Sequence, residues 1–146
     1  MRVSEAMTRE VRVTEPNQTI REAARQMAAI DAGALPVGEN DRLVGMITDR
    51  DIAVRAVALG LGPDTRVRDV MSQEVLYCHE DDTVEHVAGN MGDMQVRRMP
   101  VVDEDKRLVG IVSIGDLAQC EPGHNTGQAM AGITRQGGAH SQAAAL

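Results

Sequence analysis

The stretch Leu43-Val44-Gly45-Met46-Ile47-Thr48-Asp49-Arg50-Asp51-Ile52 returns as Leu108-Val109-Gly110-Ile111-Val112-Ser113-Ile114-Gly115-Asp116-Leu117. Each copy is an apolar run with a glycine, a hydroxyl residue three places on, and a carboxylate three places after that. Such a stretch reads as a strand turning into a helix. Thr48 and Ser113 can donate their hydroxyls to a phosphate, and the first turn of a helix offers unpaired amides to the same anion. Asp51 and Asp116, acceptors only when ionised, suit the vicinal hydroxyls of a ribose. Gly45 and Gly110 read as points where a side chain would crowd an incoming ligand.

A plainer reading stands beside this one. Thr-x-x-Asp and Ser-x-x-Asp are themselves helix capping boxes. Thr19-Ile20-Arg21-Glu22 has the same form but lacks the upstream glycine. That doubled glycine is what separates the two junctions from an ordinary cap.

The surroundings of the two stretches repeat as well. Ala34-Leu35-Pro36-Val37 and Arg98-Met99-Pro100-Val101-Val102 read as strands. Turns at 38–41 and 103–106 lead into return strands over 42–47 and 107–112. Ahead of them lie two helical patterns. One is boxed by Thr19 and Glu22, carries Ile20, Ala23, Ala24, Met27 and Ile30, and ends near Asp31-Ala32-Gly33; the other is boxed by Asp82 and Glu85. Val11-Arg12-Val13 and Val75-Leu76-Tyr77-Cys78 read as short strands, and Val3-Ser4-Glu5-Ala6-Met7 returns as Val67-Arg68-Asp69-Val70-Met71. Met7 to Met71 is 64 residues, and Gly45 to Gly110 is 65. The expected organisation is a first repeat over 1–60, a linker over 61–66, a second repeat over 67–120 and an extension over 121–146. In that extension Pro122-Gly123 breaks a helix, 126–134 forms another, and 137–146 is a flexible tail.

Composition narrows the function classes. The chain has one Tyr, no Phe, no Trp and nine Met, so a flat ligand would be held by aliphatic side chains. A net charge of −7 and the lack of aromatic platforms argue against nucleic acid. No apolar run reaches the ~20 residues of a membrane span, which points to a cytoplasmic protein. Cys78 and Cys120 form no disulfide framework or CxxC, and His79, His86, His124 and His140 lack metal-ligand spacing. Asp49 and Asp51 suit a general acid/base pair poorly, and no hydrolase, Walker or dinucleotide fingerprint appears, so an enzyme is not expected.

The doubled Gly-hydrophobic-x-Thr/Ser-x-x-Asp, the x-Pro-Val strand ahead of it and the leading Val-x-x-x-Met together resemble a tandem cystathionine-β-synthase (CBS) domain pair. The likeness covers roughly residues 3 to 120. It implies an α/β fold of two pseudo-twofold-related β-α-β-β-α repeats packed through their sheets, assembled as a homodimer. It also implies a stand-alone regulatory module that binds an adenosine-containing ligand in clefts between repeats. An adenine nucleotide (AMP, ADP or ATP) ranks ahead of S-adenosylmethionine or NAD, and an unidentified regulated protein is the further partner. Carried across by position, Gly45, Thr48, Arg50 and Asp51 belong to one site. Gly110, Ser113, Ile114 and Asp116 belong to the other, with Arg97 and Arg98 reaching phosphate. Asp49 departs from the pattern, because the residue after the hydroxyl is usually apolar and covers the base. The alternative is a ligand-independent dimerisation or interaction scaffold with vestigial pockets.

Overall fold

The computed structural model describes residues 1–120 and 124–134. The expected break at Pro122-Gly123 and the tail over 137–146 lie outside those residues. The chain forms two compact units. A central unit is built from Arg12–Val75 with Lys106–Leu108. A terminal unit joins Met1–Val11 to Leu76–Asp105 and the described residues from Val109 onward.

In the central unit, α2 (Ile20–Ile30) follows the short α1 (Val3–Ala6) of the terminal unit. Thr19 caps α2 by accepting from the Glu22 N–H at 3.2 Å. Glu22 does not complete the box; its carboxylate lies 3.7 Å from Arg25. Ile20, Ala23 and Met27, one turn apart, are buried, and Asp31 closes the helix in the left-handed region at φ 53°. β1 (Ala34–Glu39) and β2 (Arg42–Thr48) form an antiparallel hairpin. Its two-residue turn places Asn40 and Asp41 at φ 54° and 65°, the backbone that matches strand twist. Leu35, Val37 and Ile47 point from this hairpin into a cluster with Ala23, Met27, Val67 and Val70.

The expected strand at 11–13 does not form. A single bridge pairs Thr14 with Val37, held by Thr14 N–H to Pro36 O at 3.0 Å and Gly38 N–H to Thr14 O at 2.9 Å. Beyond β2, α3 (Asp49–Asp51) continues into a π-helical stretch (Ile52–Ala56) and a 3₁₀ turn (Val57–Leu59). The helix into which this strand was expected to turn is largely unburied. Ala56 lies inside, whereas Val54, Val57 and Leu59 are 48%, 68% and 72% exposed.

In the terminal unit, β3 is only Cys78–His79, shorter than the expected strand over 75–78, and runs parallel to β4 (Arg98–Val102). β4 neighbours β5 (Leu108–Ser113), giving the order β3-β4-β5. Thr83, not Asp82, caps α4 (Val84–Met94). Asp82 instead accepts from His79 N–H at 2.9 Å and tightens the preceding turn. The N-terminal segment completes this unit. Val3 N–H bonds Asp82 O at 2.9 Å, Val84 N–H bonds Met1 O at 3.0 Å, and Val3 and Met7 enter the cluster with Val87, Met91, Val101 and Leu117. α5 (Ile114–Cys120) follows β5, and α6 (His124–Thr134) begins two residues before the expected 126. α6 meets α4 at backbone distance. A Cβ on Gly132 would lie 2.5 Å from Gly92 O, and Gln95 Nε2 donates to Gly132 O at 3.1 Å.

Cys78 in β3 is 2% exposed. Burial first, and the neighbouring Asp82 second, push its thiol from the ordinary 9.0 to about 12. The unfolded chain releases this proton near pH 9, whereas the folded chain keeps it. The stabilisation is therefore complete below pH 9 and falls by about 1.4 kcal/mol per pH unit above it. Urea unfolding at pH 8 and pH 10.5 should show a steeper loss for the wild type than for Cys78→Ala. Parallel losses would contradict the assignment.

Candidate functional site

Each doubled stretch ends in one closed arrangement. Thr48 N–H donates to Asp51 Oδ2 at 3.0 Å while Asp51 N–H donates to Thr48 Oγ1 at 3.0 Å. In the terminal unit Ser113 N–H donates to Asp116 Oδ2 at 2.9 Å, and Asp116 N–H donates to Ser113 Oγ at 3.0 Å. Both junctions are thus capping boxes, as the plainer reading of the sequence has it. The boxes leave capacity unspent. Each hydroxyl accepts through its oxygen and keeps its own proton to give, and each carboxylate has a second oxygen.

The second oxygens differ. Arg55 Nε stands 3.9 Å from Asp51 Oδ1 while Arg55 Nη1 donates to Met71 O at 3.3 Å, so Asp51 is partly claimed from within the chain. Arg55 was not among the candidate residues, although its position four places after an acid on a helix is the signal that would find it. The matching place in the terminal unit is Cys120, and among the described residues Asp116 Oδ1 has no partner.

The rims differ too. Gly33 O accepts from Asp49 N–H at 2.9 Å, and Arg97 O accepts from Ile114 N–H at 2.9 Å, so the two pairs occupy matching places. Asp49, though exposed, lies over Gly33, where a Cβ would sit 3.0 Å from its Oδ2, and its Oδ1 accepts from Arg50 N–H at 2.8 Å. A carboxylate already lies at that helix start. The terminal unit has Ile114 there, with Arg97 and Arg98 exposed beside it. Neither guanidinium, nor that of exposed Arg50, bonds a described residue.

Gly45 and Gly110 have a different role from the one their position suggests. A Cβ on Gly110 would lie 2.5 Å from Met7 Sδ and 3.0 Å from Thr8 O; one on Gly45 would lie 2.8 Å from Met71 Sδ and 2.9 Å from Ser72 O. The glycines admit the Val-x-x-x-Met segments, whose following residues bridge the strand at Thr8–Ile111 and Ser72–Met46. What a side chain would crowd here is this protein's own methionine.

The CBS domain pattern matches residues 3–57 and 67–122. The chain belongs to the CBS domain family. It is 42% identical over 135 residues to the CBS domain-containing protein YhcV of Bacillus subtilis, covering 92% of this chain and 96% of that one. Hypoxic Response Protein I, whose crystal structure holds two coordinated zinc ions, superposes with a TM-score of 0.75 at 36% identity, over 82% of this chain and 98% of that one. The CBS domain pair of protein MJ0100, in complex with 5-methylthioadenosine and S-adenosyl-L-methionine, gives 0.73 at 31% identity, over 82% and 94%. CBSX2 in complex with AMP gives 0.72 at 26% identity, over 82% and 94%. Among the described residues of this CBS protein, no group of three His, Cys, Asp or Glu side chains could hold a metal ion. No described helix is long and apolar enough to cross a membrane.

Proposed function

We propose that this CBS protein is a non-catalytic regulatory module that binds an adenine nucleotide at the Ser113–Asp116 junction. The observation that carries this reading is the pairing of an unclaimed Asp116 oxygen with two unpaired cations on the same rim. In this assignment Asp116 Oδ1 accepts from the ribose, Ser113 donates its proton to phosphate, Arg97 and Arg98 neutralise the phosphate charge, and Ile114 covers the base. The capping box holds the carboxylate in place before the ligand arrives, which lowers the cost of ordering it. The Thr48–Asp51 junction, with Gly45 and Arg50, is the weaker member, because Arg55 and Asp49 already satisfy it internally. Complexes of related pairs with AMP, 5-methylthioadenosine and S-adenosyl-L-methionine support the ligand class. Binding shifts conformation or partner affinity in a homodimer.

The exposed Val54, Val57 and Leu59 favour a second reading, a dimerisation or interaction scaffold whose junctions serve only as caps. Melting with AMP, ADP, ATP, NAD and S-adenosylmethionine separates the two. A ligand at 100 times its Kd should add about 2.7 kcal/mol of stability. Asp116→Ala should remove that gain more completely than Asp51→Ala. No shift with any member of the panel would leave the scaffold reading, and equal losses in the two variants would contradict the ranking of the junctions.

A further inference from the structure

The two junctions carry opposite chemistry at one matched place. Gly33 O accepts from Asp49 N–H and Arg97 O from Ile114 N–H, each at 2.9 Å, so Gly33 and Asp49 stand where the terminal unit has Arg97 and Ile114. A cation beside an apolar side chain is thus exchanged for a glycine beneath a carboxylate. The two halves of the exchange fit each other, since a Cβ on Gly33 would lie 3.0 Å from Asp49 Oδ2 and 3.3 Å from its Oδ1. Asp49 is exposed, and the bond from Arg50 N–H to its Oδ1 at 2.8 Å holds the carboxylate in this place. Arg98 is answered by Ala34, again without charge.

The other charges at the central junction leave this contrast standing. Arg50 follows Asp49 directly, and adjacent residues on a helix do not face each other. Arg55 is engaged by Val70 O at 3.4 Å, Met71 O at 3.3 Å and Asp51 Oδ1 at 3.9 Å. Asp31 ends α2 where Gln95 ends α4, which adds another carboxylate. Arg12, two residues before the Thr14 bridge to β1, and Asp69, next to Val70, are of opposite sign. Their terminal counterparts are Leu76 and Glu5, and Glu5 accepts from Arg2 N–H at 2.8 Å. The groups an adenosyl ligand needs are still present. Thr48 keeps its hydroxyl proton, and 3.9 Å is longer than a hydrogen bond, so Asp51 Oδ1 retains capacity for a ribose hydroxyl.

We propose that Asp49 sets the ligand class of the central junction, which takes an adenosyl compound with an uncharged or cationic 5′ substituent and rejects a 5′ phosphate. A phosphate carrying about two negative charges is repelled beside a carboxylate, whereas a cation there is attracted. The proposal rests on the adenosine-ligand reading of the junctions and divides it, with phosphate at Ser113–Asp116 and none at Thr48–Asp51. AMP and 5′-methylthioadenosine share one nucleoside and differ in that charge. Titration calorimetry with the two on the intact chain therefore tests it.

In Asp116→Ala, where the terminal junction is disabled, 5′-methylthioadenosine should bind at least tenfold more tightly than AMP. Adding Asp49→Asn, which keeps the shape and the acceptor oxygen, should tighten AMP at least tenfold and leave 5′-methylthioadenosine nearly unchanged. Adding Asp51→Ala instead should remove 5′-methylthioadenosine binding. Ile114→Asp in the otherwise wild-type chain runs the exchange in reverse and leaves the Ser113–Asp116 box in place. It should weaken AMP at least tenfold, and Ile114→Asn much less. The proposal is overturned if a folded Asp116→Ala chain binds no 5′-methylthioadenosine, binds it no better than AMP, or keeps it when Asp51→Ala is added. An AMP affinity indifferent to Asp49→Asn, or to Ile114→Asp in a chain that binds AMP, overturns it too. A wild type that binds no AMP defeats the nucleotide reading alone, because the Asp49→Asn and Asp51→Ala arms still report on the central junction.

Discussion

Deleting residues 1–8 should cost about 3–6 kcal/mol, the transfer free energy of two buried side chains, Val3 and Met7. That is a large fraction of the roughly 5–15 kcal/mol that an ordinary domain has. The loss should fall on the terminal unit, because Val3 and Met7 belong to the cluster built from Val87, Met91, Val101 and Leu117. Val3→Asp should act like the deletion by placing an unpaired carboxylate in that cluster. Urea unfolding followed by hydrogen exchange reads both the size and the location. A change under about 1 kcal/mol, within the range of ordinary surface substitutions and modest single mutations, would contradict the assignment of the N-terminus to this unit.

Gly110→Val is the second large effect. Met7 Sδ is a movable end, but Thr8 O is backbone, so the strand bridge must give as well. Overpacking of this kind costs about 1–3 kcal/mol. A smaller partner should relieve part of it: with Met7→Ala in place, the added cost of Gly110→Val should shrink by a coupling of about 0.5–3 kcal/mol. A cycle with no coupling, or one in which the damage shows only when nucleotide is bound, would return Gly110 to a role against the ligand.

Much of the fold is legible in the residues, because repeated patterns report repeated geometry. The helical spacing of Ile20, Ala23 and Met27, the Pro36 and Pro100 strands and the turn at Asn40-Asp41 each answer to local physics, and each stands where its pattern puts it. Three features were not legible. The N-terminal segment folds with Leu76–Asp105 instead of its sequence neighbours, a long-range choice no window of spacing can reveal. Val11–Val13 alternates correctly but finds a single bridge at Thr14, so it stays outside the sheet. The glycines were visible and their partner was not, since Met7 and Met71 are remote in sequence from Gly110 and Gly45.

At the candidate site, the hydroxyl–carboxylate pairs were visible as motifs and so was their capping alternative. The inequality between them was hidden. It rests on Arg55 claiming Asp51, on Asp49 folding over Gly33, and on neither happening at Asp116.

Titration calorimetry of AMP into the wild type, Asp51→Ala and Asp116→Ala separates the two junctions. The wild type should bind saturably, Asp116→Ala should weaken that binding at least tenfold, and Asp51→Ala should change it much less. Binding that survives Asp116→Ala unchanged, or its absence in a wild type confirmed to be folded, would contradict the assignment of the nucleotide to Asp116.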